Sequence, residues 1–154
     1  MARKIVIGAD HGGFLLKEKI KAALKKARYR VEDVGTDSAE SCDYPRFGFD
    51  VAGRVSDGKA ERGIAICKTG IGMAIIANKY PGVRAGVCDS APDAVSARKH
   101  NDTNVLVLAA TKTSSKKALG IVRAWLRTKA TGGRHARRVR QIAELERKVF
   151  KKRR

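Results

Sequence analysis

Residues 64–78 read Ile-Ala-Ile-Cys-Lys-Thr-Gly-Ile-Gly-Met-Ala-Ile-Ile-Ala-Asn. An apolar strand runs into Cys67, then a Gly70-x-Gly72 turn, then an apolar helix. This order carries a thiol to the end of a strand. It also aims the free N–H groups of a helix N-terminus at the same point. A thiol in such a field ionises more easily than its free pKa of about 8.5 allows, and can then act as a base or nucleophile. Donors around Gly70, Ile71 and Gly72 would receive a developing oxyanion. The same residues also read as a tight strand-to-helix turn around a buried, inert cysteine.

Four other constellations could carry chemistry. Asp10-His11-Gly12-Gly13 follows the first strand. Asp and His side by side can orient a sugar hydroxyl or touch a phosphate, or simply cap the next helix. Their place at a strand's carboxyl end favours the first reading. His100-Asn101-Asp102-Thr103-Asn104 is a polar run before the fifth strand, either an Asx-type turn or a group serving a neighbouring subunit. Arg134 and Arg138 are four apart and share a helix face. Two guanidinium groups there suit a phosphate, although a solvated basic face has the same spacing. Cys88 ends a strand and is the second candidate nucleophile, but no Gly-x-Gly turn follows it. Cys42 lies in a loop without an activating pattern, and Trp125 sits at core spacing in its helix.

Nucleotide-binding loops do not fit. Gly8 and Gly12-Gly13 have the wrong spacing for Gly-x-Gly-x-x-Gly, Ile75 stands where a third glycine would follow Gly70 and Gly72, and no Walker loop occurs.

The elements that must position these groups alternate in type. Strands are expected over 5–7, 29–34, 64–66, 84–87 and 104–108. Helices are expected over 14–27, 49–55 and 71–79, with Pro45 interrupting the loop before the second. A fourth helix is capped by Asp89 or Ser90 with Pro92 in its first turn, and a fifth by Ser114 or Ser115. A last amphipathic helix after Gly132-Gly133 carries Val139, Ile142, Leu145 and Val149. Repeated strand–helix units with short apolar strands predict an α/β fold: a three-layer, doubly wound, Rossmann-like sheet of five parallel strands with an extra C-terminal helix. Residues 1–130 form the sandwich. Residues 131–154, the last helix and a basic tail, belong to the same domain and are expected to contact a second copy of the chain, because no further strand covers that helix.

The chain's 154 residues make one domain, and no apolar run approaches the ~20 residues that span a bilayer. The N-terminus runs straight into a strand, so no secretory signal is read. Three cysteines without metal-ligand spacing fit a reduced, cytoplasmic protein and no metal site. Net charge is +19, of which residues 134–154 supply +8 through ten Lys or Arg against Glu144 and Glu146. This favours anionic partners, phosphorylated metabolites first, with nucleic acid compatible but less favoured.

The ordered set of motifs resembles one family. Asp10-His11, Asp43-Tyr44-Pro45, Cys67-x-Thr69-Gly70-Ile71-Gly72, Ala77-Asn78-Lys79, His100-Asn101-Asp102-Thr103-Asn104 and Gly132-Gly133-Arg134-His135-x-x-Arg138 occur in the order seen in type B ribose-5-phosphate isomerases and the related galactose-6-phosphate isomerase subunits. The resemblance implies a homodimer or larger assembly, with sites shared between chains, that interconverts ribose 5-phosphate and ribulose 5-phosphate without cofactor or metal. It implies Cys67 as the base moving a proton between C1 and C2, and His100 as the proton donor that opens the sugar ring. Asp10, His11, Tyr44, Lys68, Thr69, Gly70, Ile71, Gly72 and Asn101 would contact the sugar, and Arg134 and Arg138 the phosphate. Two positions depart from the pattern. Lys68 stands where the family has glycine, and Thr111 where it has a ligand-contacting arginine. Rival readings are an isomerase of another aldose phosphate, of the allose or galactose 6-phosphate type, and a basic protein binding nucleic acid or an acidic partner on the same fold.

Overall fold

The structure, a computed structural model, describes residues 4–151. Lys152-Arg153-Arg154 of the expected basic tail lie outside the described residues. Eleven elements follow in order: β1 (Lys4–Ala9), α1 (Phe14–Lys26), β2 (Arg30–Asp33), α2 (Tyr44–Ser56), β3 (Arg62–Cys67), α3 (Ile71–Ala77), β4 (Ala85–Val87), α4 (Ala91–Asn101), β5 (Val105–Ala109), α5 (Ser115–Arg127) and α6 (Gly133–Lys151). The five strands form one parallel sheet in the order β2-β1-β3-β5-β4.

Strand alternation sorts the core into two layers. Ile5, Ile7, Ile64, Ile66, Leu106 and Leu108 point to the face covered by α1, α4 and α5. Val6, Ala65, Cys67, Val105 and Val107 point to the face covered by α2 and α3. Both faces being buried explains why β3 and β5 read as continuous apolar runs. The helix after β1 and the helix after β3 therefore lie on opposite faces. The crevice beyond the carboxyl ends of these neighbouring strands is a topological switch point, where such folds bind ligands.

Several boundaries correct the reading from sequence. α2 begins at Tyr44, not Phe49, because Pro45 occupies the first helical turn, where its missing N–H costs nothing. α3 ends at Ala77, two residues before the expected Lys79. Ser90 and Ser114 are the caps that form, accepting from the N–H groups of Asp93 and Lys117 at 3.2 and 3.3 Å. α6 packs against α4 and buries none of its residues, and Leu145 is 60 % exposed. No helix among the described residues is long and apolar enough to cross a membrane.

Candidate active site

At the end of β3 the Cys67 side chain is buried, and the Gly70 N–H donates to its Sγ at 3.2 Å. Gly70 is left-handed (φ +75°), which turns the chain sharply enough to present that amide to the sulfur before α3 begins. The Ile71 N–H donates to Thr69 Oγ1 at 3.3 Å. Of the three amides expected to hold an oxyanion, that of Gly72 is the one without a partner among the described residues. The Tyr44 ring lies over Gly72, where a Cβ would meet its Cζ at 2.5 Å. The early start of α2 is what delivers Tyr44 to this turn.

The β1–α1 loop closes the other side. Asp10 is 6 % exposed, and its Oδ1 accepts from the Gly13 N–H at 3.1 Å. Gly13 passes so close to β3 that a Cβ would lie 2.7 Å from the Ile66 carbonyl oxygen. His11 Nδ1 is 3.1 Å from the Cys42 carbonyl oxygen and 3.2 Å from the Cys42 nitrogen. That pinning leaves Nε2 as the nitrogen available to a ligand. Cys42 thus acts through its backbone, which its sequence context did not indicate. Lys68 is exposed, and its stem crosses Gly12, where a Cβ would meet Lys68 Cγ at 2.5 Å. Thr111 is occupied: its Oγ1 donates to the Lys68 carbonyl at 2.6 Å. Asp10, His11, Tyr44 and residues 67–72 therefore converge on one crevice at the carboxyl edge of the sheet.

The remaining predicted residues gather elsewhere. β3 and β5 pair with Gly63 opposite Val105 and Cys67 opposite Ala109. His100 and Asn101 precede β5 at the end of α4 and so lie at the amino edge. Buried Arg98 holds that terminus by bonding the carbonyls of Thr103 and Thr128 and pairing with Asp102 at 2.7 Å. The His100 ring stacks on His135 with centroids 4.2 Å apart and planes at 15°. Desolvation, then the charges of His100, Arg134 and Arg138, hold the His135 imidazole below its ordinary value. The part of His135 in the cluster was not read from sequence, although it sat within the Gly-Gly-Arg-His motif. Exposed Asn101 supplies only its carbonyl, to Arg84 Nε at 3.1 Å. Asn78 and Asn104, from the same motifs, are structural: Asn78 bonds both backbone groups of Ala85, and Asn104 bonds Arg84 and Gly82.

The second candidate nucleophile fails on its surroundings. Cys88 is 1 % exposed, and burial, then Asp93 and Asp89, push its thiol up to about 11. Trp125 is fully buried and donates to Thr103 Oγ1 at 2.9 Å, a packing role as read. Among the described residues no three His, Cys, Asp or Glu side chains are grouped to hold a metal ion.

Known proteins of similar sequence and shape identify the family. Ribose-5-phosphate isomerase B of Escherichia coli (strain K12) is 44% identical over 144 residues, covering 94% of this chain and 97% of that protein. The structure of Clostridium thermocellum ribose-5-phosphate isomerase B matches with a TM-score of 0.92 at 50% identity, covering 95% of this chain and 99% of the other. Ribose-5-phosphate isomerase B from Mycoplasma genitalium, solved with bound ribulose-5-phosphate, matches with a TM-score of 0.92 at 37% identity over 96% of this chain and 98% of the other. The family model described as Ribose/Galactose Isomerase matches residues 5–142, and the chain belongs to that family.

Proposed function

We propose that this protein interconverts ribose 5-phosphate and ribulose 5-phosphate through an enediolate, with Cys67 as the base. The observation that carries the reading is the Cys67 sulfur at the switch-point crevice with the Gly70 N–H on it at 3.2 Å. An amide dipole directed at sulfur supports negative charge there. The base takes the proton from C2 of the open-chain aldose and returns it to C1, while the charge developing on oxygen is received by the Gly72 N–H, which the turn leaves unengaged. Asp10, His11 Nε2, Tyr44, Lys68 and Thr69 line the approach and orient the sugar.

His100, as proton donor for ring opening, and Asn101 reach the crevice only from a second copy of the chain. Arg134 and Arg138 flank the His135 ring that stacks on His100. They travel with it, so the partner supplies the phosphate grip together with the proton donor. The uncovered apolar face of α6, with Ile142, Leu145 and Val149 exposed, supports an assembly of at least two chains.

A second reading keeps the chemistry and changes the sugar. Thr111 spends its hydroxyl on the Lys68 carbonyl and offers no guanidinium to a ligand, which favours a substrate other than ribose 5-phosphate, such as a six-carbon aldose phosphate. Turnover of ribose, allose and galactose phosphates by wild type and Cys67→Ala decides both points. Ribose 5-phosphate is expected to have the highest kcat/KM, and Cys67→Ala to lose at least 10²-fold in kcat, at the low end of base catalysis. Near-normal turnover in Cys67→Ala would remove the base assignment.

A further inference from the structure

The isomerase reading leaves the largest electrical feature of the chain, its net charge of +19, unused. The charge is not evenly spread. No Asp or Glu occurs between Glu18 and Glu32, or between Asp102 and Glu144. The first interval covers most of α1, and the second covers all of α5. These two helices pack side by side on the same face of the sheet. Their C-terminal ends bring two rows of exposed cations onto one surface: Lys25, Lys26 and Arg28 on one side, and Arg123, Arg127 and Lys129 on the other. Among the described residues, no carboxylate pairs with any of the six. They sit at the far end of α1 and α5 from the Cys67 crevice, because both helices run from the carboxyl edge of a parallel sheet back to its amino edge.

Between the two helices lies a groove of about 180 Å³, lined by Ala23, Ala27, Tyr29 and Leu119, with Arg123 and Arg127 also in its wall. The larger aliphatics beneath it are already packed: Leu24, Val122 and Leu126 are 3 %, 4 % and 5 % exposed. No Asp or Glu lines the groove, whereas Arg123 and Arg127 do, so it suits an anionic ligand. It offers apolar area, the half-buried Tyr29 ring included, beside positive charge. A ligand matching both properties has flat rings in its middle and repeated anionic groups along its edge.

We propose that the α1–α5 face binds single-stranded nucleic acid without sequence preference, its phosphates against the two cation rows and its bases over the groove floor. This binding is independent of the isomerase reaction.

The test is fluorescence anisotropy with a labelled polyuridine of ~20 nucleotides, titrated from about 50 to 200 mM salt, on the full-length protein. With about four phosphates neutralised, log K should fall against log salt with a slope near −3. The variant Lys26→Glu/Arg28→Glu/Arg123→Glu/Arg127→Glu should bind at least tenfold more weakly with a much flatter slope, while isomerase turnover stays at the wild-type level. Neutral Gln replacements at the same four positions should give an intermediate loss and guard against misfolding of the Glu variant. Arg140→Gln/Lys148→Gln on α6 should bind as wild type does. No binding at the lowest salt would overturn the proposal. So would equal binding by the four-site variant, a loss confined to the α6 variant, or displacement of the RNA by polyglutamate as readily as by unlabelled polyuridine.

Discussion

The sharpest consequence of the two half-sites concerns mixtures of two dead proteins. Cys67 is opposite Ala109 and Gly63 opposite Val105, so four residue steps separate the carboxyl and amino ends of β5. At about 3.3 Å per step the separation is about 13 Å, and His100 lies five residues further back in the chain. No imidazole covers that distance to reach a sugar held at Cys67. Cys67→Ala and His100→Ala chains should therefore each be inactive alone. When equal amounts exchange subunits at random, half of the dimers are mixed. Each mixed dimer holds one site with both Cys67 and His100 and one site with neither. Recovered activity should approach roughly one quarter of wild type per site, as two-fold symmetry dictates. Ketose formation measures the recovery, and pull-down through a tag on one chain measures the exchange. A variation locates the arginine: His100→Ala/Arg134→Ala chains mixed with Cys67→Ala chains should recover the same quarter. Cys67→Ala/Arg134→Ala chains mixed with His100→Ala chains should recover little. Proven exchange without recovery in the first mixture would refute the shared site. The opposite pattern in the second would show that Arg134 serves its own chain's Cys67.

Replacing Arg134 or Arg138 by Ala removes a charge-assisted contact to phosphate worth roughly 1.5–3 kcal/mol. The loss should appear as a raised KM and weaker competition by inorganic phosphate, and unchanged phosphate inhibition would return both residues to a solvated basic face. Gly70→Ala forces a side chain into a left-handed position, with its Cβ 3.3 Å from Val107 and Val87. It should cost roughly 1–2 kcal/mol in urea unfolding and lower kcat as the amide leaves the Cys67 sulfur; wild-type kcat would show that this amide has no part in the chemistry. The Cys88 thiol, pushed up to about 11 by burial, keeps its proton in the folded chain where the unfolded chain releases it near pH 9. Its stabilising contribution is complete below that unfolded value and is lost as pH rises through about 11. Wild type should thus lose stability between these limits more steeply than Cys88→Ala, and parallel curves would remove the thiol from the account.

What the sequence made legible follows from where information is local. The Cys67 turn was readable because strand, thiol and glycines are consecutive, and the structure adds only the 3.2 Å contact that their order implies. The sorting of His100 away from Cys67 was readable because parallel topology assigns each strand end to an edge. Contacts between segments distant in the chain were not readable. His11 is held by the backbone of Cys42, 31 residues away, which no periodicity encodes. Lys17 interrupts the apolar stripe of α1, yet it is fully buried, because Asp33 at the end of β2 and Glu18 pair with its ammonium. Hydropathy assigns such a lysine to solvent, since a buried charge is tolerated only with partners that hydropathy cannot see. Pro45 was read as part of the loop before the second helix, but it lies in that helix's first turn, and the earlier start carries Tyr44 onto Gly72. The first two misses are contacts between distant segments and the third is a local helix start; the first and third bear on the crevice. Local order thus selected the chemistry of the site, while contacts across the fold determine which side chains surround the sugar.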